Sequence, residues 1–218
     1  VNDPEALTLA YAKAFEAKGG RILKGDAMTL AEEREGWSVK TAEGVVSAPD
    51  CVVALGPWAP DLMRSMGYFV PMGVKRGYHI HMRTKGNATL NLPVLDADAG
   101  YMLAPMARGI RLTSGAEFAD RDSPETPMQI DKIEPYARQL LPLESRVEAK
   151  PWMGSRPCMP DMISVMGKAP RHKGLWLNFG HAHHGLTLAG VSARLVGEMI
   201  TGEKPFTDPA PYSLTRFD

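Results

Sequence analysis

Length, composition and charge limit the classes of protein to which this chain can belong. It has 218 residues, and 44% of them are hydrophobic, which is enough for a packed core and too many for a disordered chain. Its 25 lysines and arginines balance 25 aspartates and glutamates, so the charge indicates neither nucleic-acid binding nor a general affinity for anionic membranes.

The cysteine count and hydropathy narrow the expected location. Two cysteines, Cys51 and Cys158, argue against a disulfide framework and fit a reducing compartment. No apolar run approaches the roughly 20 residues of a transmembrane helix. We therefore expect one domain or two joined lobes without a transmembrane segment, located in the cytoplasm, either free or peripheral to the inner membrane.

The N-terminal part is predicted to contain one helix and several short strands. Asn2 or Asp3 can cap a helix that starts at Pro4, and Gly19-Gly20 ends it. Strand-like segments follow at residues 21–23, 28–30, 37–41 and 45–47. The short apolar run from Cys51 to Leu55 ends at Gly56 and predicts a buried strand.

The middle of the chain predicts an antiparallel sheet followed by a helix. Apolar residues at 78, 80 and 82 alternate with polar residues at 79, 81 and 83, which is typical of a half-solvated strand. Further strands are expected at residues 101–103 and 110–113. Thr126 to Gln129 has the spacing of a capping box, with proline at the first helical position. Pro135 inside the helical repeat predicts a kink or a break.

The C-terminal third contains the most informative pattern. An apolar strand at residues 175–178 leads into the turn Gly180–Gly185 and a helix from about Leu186 to Ile200. Such a turn directs unpaired N–H groups and the positive end of the helix dipole at one point, which suits an anion. Arg156 lies upstream, and its guanidinium would bind a carboxylate through two parallel hydrogen bonds. The alternatives are a surface or inter-lobe salt bridge for Arg156 and an ordinary turn at 180–185.

Five sequence motifs resemble one family. W-x-G-x-R-P-x-x-P-D begins at Trp152, and L-x-L-N-x-G-H begins at Leu175 and is followed by G-x-T-x-A-G. V-x-A-x-G-x-W spans Val52–Trp58, and Gly115–Phe118 is similar to a G-T-x-E segment. From about Asn2 to about Pro205 the chain thus resembles FAD-dependent D-amino-acid dehydrogenases and oxidases, whose broader family includes glycine and sarcosine oxidases.

The resemblance implies an α+β fold. Residues 1–62 and 153–218 would form a partial FAD-binding lobe, and residues 63–152 an antiparallel β-sheet lobe that binds substrate. The family's N-terminal dinucleotide-binding βαβ unit, with its G-x-G-x-x-G turn, grips the ADP half of FAD. That motif is absent from this sequence. We therefore expect the C-terminal half of such an enzyme, which binds FAD tightly only together with an N-terminal region or subunit.

The resemblance also implies a reaction and its residues. A D-amino acid, or a related amino acid, would be oxidised to a 2-oxo acid and ammonia after hydride transfer to flavin N5. Arg156 would clamp the substrate carboxylate and Tyr78 would line the catalytic pocket, while His183 and His184 would shape it. Flavin contacts would come from Gly56, Trp58, Gly154, Gly180, His181, Gly185, Leu186 and Thr187.

Two other functions compete with this interpretation. The chain would be a catalytically inert binding or structural fragment if it lacks the cofactor, with an exposed apolar face where the missing lobe docks. Histidines at 79, 81, 181, 183 and 184 would alternatively form a metal site. Because no carboxylate or thiolate completes a ligand set nearby in sequence, we expect no metal.

Overall fold

The computed structural model describes all residues from 1 to 218. Four α-helices are present: α1 (Pro4–Ala17), α2 (Ala59–Ser65), α3 (Met128–Leu140) and α4 (Gly185–Thr201). The strands are β1 (Ala31–Glu33), β2 (Gly36–Thr41), β3 (Gly44–Ala48), β4 (Cys51–Val53), β5 (Gly73–Thr84), β6 (Val94–Asp96), β7 (Tyr101–Met106), β8 (Gly109–Thr113), β9 (Glu117–Phe118), β10 (Leu143–Arg146), β11 (Trp152–Cys158), β12 (Val165–Lys168) and β13 (Leu175–Phe179). None of the helices has the length and apolar character needed to cross a membrane.

The chain divides into two compact units. Unit 1 comprises Val1–Tyr11 and Val74–Ser155, and unit 2 comprises Ala12–Gly73 and Arg156–Asp218. The predicted lobes, 1–62 with 153–218 and 63–152, have different bounds. Their assignment to flavin and to substrate stays a prediction.

Unit 1 is built on an antiparallel sheet. The strand order is β10-β5-β8-β7-β6, and β9 and β11 also pair with β5. The predicted strands at 101–103 and 110–113 are confirmed as parts of β7 and β8, which form a hairpin closing at Met106 and Gly109. One face of the sheet forms a core with α3, made of residues that include Tyr78, Ile80, Met82, Leu103, Leu112, Ile130 and Ile133.

The expected half-solvated character of β5 is only partly correct, since His79 is half-buried and Arg83 is exposed but His81 is buried. Tyr78, Ile80 and Met82 are at most 1% exposed, and His81 on the opposite face is only 2% exposed. Arg76, although charged, is 1% exposed as well. The alternation of the sequence therefore separates the two faces of β5 but does not fully separate core from solvent. Glu148, from a distant segment, bonds His81 on the polar face, and that residue is buried.

The helix α3 departs from expectation at its predicted cap, and the break that was one of the two outcomes expected at Pro135 does not occur. The capping box does not form, since Pro127 occupies the cap position without a side-chain bond, and the hydroxyl of Thr126 bonds the Glu117 carboxylate instead. Pro135 lies inside a helix that continues from Met128 to Leu140 without a break. The burial of Ile130, Ile133 and Ala137 against the sheet stabilises the helix on both sides of the proline.

Unit 2 contains two three-stranded sheets. The first has the order β1-β2-β3 and includes the predicted strands at 37–41 and 45–47. The second has the order β12-β13-β4, in which β13 and β4 are parallel and Leu177 lies opposite Val53. One face of this second sheet joins a core around Trp37, Leu62 and Phe179. Its other face, with Met166 and Trp176, packs against Leu195 and Val196 of α4.

Several N-terminal expectations are corrected in unit 2. Residues 21–23 form no strand, and the segment expected as a strand at 28–30 is largely a 3-10 turn, Ala27–Thr29. The carboxylate of Asp26 accepts a hydrogen bond from Met28 N at 2.9 Å, and such a local bond favours a turn over an extended strand. The strand at residue 51 is shorter than expected and not wholly buried, since Val52 is 42% exposed.

Candidate functional site

The glycine-bounded turn follows β13 and has an unusual backbone conformation. Gly180 has a φ of 81°, and Ala182 has a φ of 50°, which a residue with a Cβ rarely adopts. Two backbone contacts to the end of β11 hold the turn. Cys158 and His181 form an isolated antiparallel β-bridge, and Ala182 N donates a hydrogen bond to Pro157 O at 2.9 Å. Backbone strain of this kind persists only where surrounding contacts hold it, and it is frequent at ligand sites.

The turn leads directly into α4. The first helical hydrogen bond from this end is donated by Leu188 N to His184 O at 2.9 Å, and His184 gives no side-chain cap. The N–H groups of Gly185, Leu186 and Thr187 have no backbone or side-chain acceptor. They lie at the positive end of the helix dipole, so the start of α4 suits a negative or developing negative charge.

Arg156 immediately precedes the residues that hold this turn. Its side chain is half-buried in β11, and it makes no hydrogen bond or ion pair. The predicted alternative, a salt bridge, is therefore not formed. Because Pro157 and Cys158 contact Ala182 and His181, the backbone of Arg156 is anchored beside the turn. A half-buried guanidinium without a partner can bind an incoming carboxylate.

Gly56 and Trp58 lie at the same edge of the sheet as the turn. Parallel strands have their carboxyl ends on one side, so the chain leaving β4 and the chain leaving β13 emerge together. Gly56 has a φ of 54°, and a Cβ there would meet nothing within 4 Å; Trp58 is 57% exposed. This carboxyl edge is where open α/β sheets bind ligands.

The three histidines of the turn differ in environment. His181 is half-buried, its Nε2 lies 3.0 Å from Ser192 Oγ, and burial lowers the pKa of its imidazole. His183 and His184 are exposed, with ring centroids 3.9 Å apart. No group of three or more histidine, cysteine or acidic side chains is arranged to hold a metal ion.

The remaining two predicted site residues lie in unit 1. A Cβ on Gly154 would come within 2.4 Å of the Trp152 ring, so the indole packs over the space that this glycine leaves. Tyr78 is 1% exposed, which corrects the alternative of a half-exposed strand tyrosine. Its hydroxyl donates to Glu117 Oε2 at 2.9 Å and accepts from Arg76 Nη2 and Thr126 N, so its bonding capacity is filled.

Sequence reasoning missed two polar clusters of unit 1. One joins Arg76, Tyr78 and Glu117; the other joins His81, Glu148 and Arg111. The sequence drew attention to Tyr78, to His81 and to the segment that contains Glu117, but it did not indicate which residues they contact. Glu117 lies 41 residues from Arg76, and Arg111 and Glu148 lie 30 and 67 residues from His81, beyond the range of any local pattern.

Comparison with known proteins establishes the family. Residues 1–199 match the family described as FAD dependent oxidoreductase. The chain belongs to this family. It is 36% identical over 177 residues to a glycine oxidase of Pseudomonas putida, which covers 80% of this chain and 48% of the oxidase. It is 30% identical over 213 residues to a D-amino acid dehydrogenase of Dechloromonas aromatica, covering 93% of this chain and 50% of that protein.

Solved structures show the same fold. The chain matches L-proline dehydrogenase from P. horikoshii with a TM-score of 0.78 at 21% identity, over 97% of this chain and 59% of that one. It matches iminodiacetate oxidase from Chelativorans sp. BNC1 with a TM-score of 0.76 at 21% identity, over 95% of this chain and 57% of that one. The chain spans about half the length of the curated relatives that it matches.

Proposed function

We propose that this chain supplies the flavin-ring and substrate-carboxylate contacts of an FAD-dependent oxidoreductase. Its substrates would be D-amino acids or related amino acids such as glycine, and its products 2-oxo acids and ammonia. The observation that carries the proposal is the half-buried, unpartnered Arg156, anchored beside a helix start whose first three N–H groups are unpaired.

The residues present fit the ring half of FAD. When bound, FAD would supply the hydride acceptor. The N–H groups at the start of α4 would then face the part of the ring that becomes negative, and a helix N-terminus stabilises such a charge by up to about 2 kcal/mol when partly buried. The open space at Gly56 would allow close approach of a planar group.

Arg156 would orient the amino acid. Two parallel hydrogen bonds to the carboxylate fix both its position and its rotation, which directs the Cα–H bond of the substrate. The chain itself carries no G-x-G-x-x-G turn for the pyrophosphate. A partner region or subunit would therefore bind the ADP half.

Exposed apolar side chains on α4 support such a partner. Leu186, Leu188 and Val191 are 45%, 37% and 51% exposed, although other residues of the same helix, Ser192, Leu195 and Val196, are buried. A docked polypeptide carrying the dinucleotide-binding unit would cover them. A catalytically inert fragment would have the same exposed residues but would support no reduction of flavin by an amino acid.

The test is the protein expressed from the full reading frame that contains this chain. We expect it to purify with bound flavin and to show bleaching of the flavin absorption band when glycine or a D-amino acid is added without oxygen. The 218-residue chain alone, prepared in parallel, should take up no flavin at micromolar concentration. A flavin-free full-length protein, or a flavin that no amino acid reduces, would refute the proposal.

A further inference from the structure

Unit 1 contains a cavity that the proposed flavin chemistry does not use. Its volume is about 500 Å³, within the range of small-molecule sites. The lining includes His79, His81, Arg111, Glu148 and Trp152, all from unit 1. His79 and His81 occupy the face of β5 opposite the core with α3, and His81 lies across from Arg111 of β8.

A chain of hydrogen bonds fixes the inner wall of this cavity. Glu148 accepts from His81 N at 2.9 Å, and its other oxygen lies 2.8 Å from His81 Nδ1. Arg111 Nε donates to His81 Nε2 at 3.2 Å. Both nitrogens of His81 and both oxygens of Glu148 are thus engaged.

This arrangement leaves the end of the Arg111 side chain without a partner. Its Nε is used by His81, while Nη1 and Nη2 make no hydrogen bond or ion pair. Arg111 is half-buried, and a guanidinium stays protonated in proteins. A half-buried pair of parallel donors in a cavity matches the two oxygens of a carboxylate.

The other charged groups of the lining do not occupy that position. Asp3 accepts from Ala6 N at 2.9 Å and caps α1, and Arg108 reaches Glu148 at 3.3 Å. Glu5 and Lys150 are exposed and carry opposite charges. Arg111 is therefore the half-buried cationic group of the lining that has free hydrogen-bond donors.

Two flat side chains form another wall. The rings of His79 and Trp152 have centroids 4.8 Å apart and an interplanar angle of 38°. Burial, followed by the charge of Arg111, lowers the pKa of His79 to about 4, so its ring is uncharged at neutral pH. Trp152 is 60% exposed and offers the indole surface to a ligand. Flat apolar walls of this kind pack favourably against an aromatic ring.

We propose that this cavity binds a small aromatic carboxylate. The carboxylate occupies the free end of Arg111, and the ring packs against Trp152 and His79. The site is made wholly of unit 1 residues and needs no flavin, so its test is independent of the proposed redox activity.

The probe is phenylacetate, titrated into the 218-residue chain by calorimetry and by NMR of the indole N–H signals. We expect saturable binding that shifts the Trp152 signal and leaves that of Trp37 in unit 2 unchanged. Phenylacetamide, which has the same shape without the charge, and acetate, which lacks the ring, should each bind at least about tenfold more weakly.

Variants then separate the two parts of the site. Arg111→Met should weaken the binding of phenylacetate at least about tenfold. Arg83→Met is the control and should not, because Arg83 is an exposed arginine of the neighbouring strand β5 and lies outside the lining. Trp152→Ala should remove the preference for phenylacetate over acetate. Equal binding of phenylacetate and phenylacetamide, or no saturable shift of Trp152, would overturn the proposal even if Arg111→Met does not fold.

Discussion

Arg76 and Glu117 form an ion pair that organises one edge of unit 1. Arg76 Nε lies 2.6 Å from Glu117 Oε2, and the two side chains are 1% and 16% exposed. Arg76 also donates to the carbonyls of Ser123 and Pro124, so it anchors the segment that leads to α3. The hydrogen bond from Arg76 is the main reason why the pKa of Glu117 is lowered.

Tyr78 belongs to this network, which predicts a structural effect for its hydroxyl. Tyr78→Phe leaves Thr126 N without its acceptor and removes one of the two acceptors of Arg76 Nη2, which still donates to Pro124 O. The free energy of unfolding should therefore fall by about 1–3 kcal/mol in urea titrations. Tyr136→Phe, an exposed tyrosine on α3, is the control and should change little. If Tyr78→Phe has unchanged stability and its KM for amino acids rises about tenfold or more, Tyr78 contacts the substrate instead.

Arg156 is the residue on which the proposed chemistry depends most. In the flavin-loaded full-length protein, Arg156→Ala should lower kcat/KM for amino acids by about 10²-fold or more while flavin stays bound. Arg156→Lys should recover part of the loss, because an ammonium cannot reproduce the planar fork. Arg64→Ala, an exposed arginine of α2, is the matched control. Near-parental kcat/KM in both Arg156 variants would show that another group binds the carboxylate.

His79 predicts a pH dependence of stability. Its pKa in the folded chain is about 4, mainly because of burial, against about 6.5 for histidine in an unfolded chain. Between these values the unfolded state binds the extra proton, so stability should fall as the pH falls from about 6.5 to 4. His79→Gln should show a smaller loss over that window in unfolding titrations. An NMR titration midpoint for His79 near 6.5 would contradict the expectation.

Pro135 offers a test of how far packing overrides local preference. Pro135→Ala should raise the free energy of unfolding by about 1–2 kcal/mol, since it restores an N–H donor to the Asp131 carbonyl, partly offset by greater unfolded-state entropy. Pro135 is exposed, so no core contact is lost. Thermal and urea unfolding of the variant would measure the change. A loss of stability would mean that the proline ring makes a contribution specific to α3.

Local sequence patterns determined the helices at both ends of the chain. The Asp3 carboxylate caps α1 as its position predicts, and Gly202 ends α4 with a φ of 75°. The turn at 180–187 was likewise predicted from its glycines and from the strand and helix on either side. These features depend on interactions within a few residues, so the sequence contains all the information that they need.

Contacts between distant segments decided the rest. Only the tertiary structure brings Glu148 to His81 and Glu117 to Arg76, across 67 and 41 residues. Those partners allow polar residues of β5 to be buried, which its alternating pattern could not indicate. Thr126 bonds Glu117 instead of capping α3, and Pro135 stays helical, because burial and charge pairing outweigh preferences of a few kcal/mol. The tertiary structure also decides that Arg156, and Nη1 and Nη2 of Arg111, have no hydrogen-bond partner, because it places no acidic side chain within reach of them.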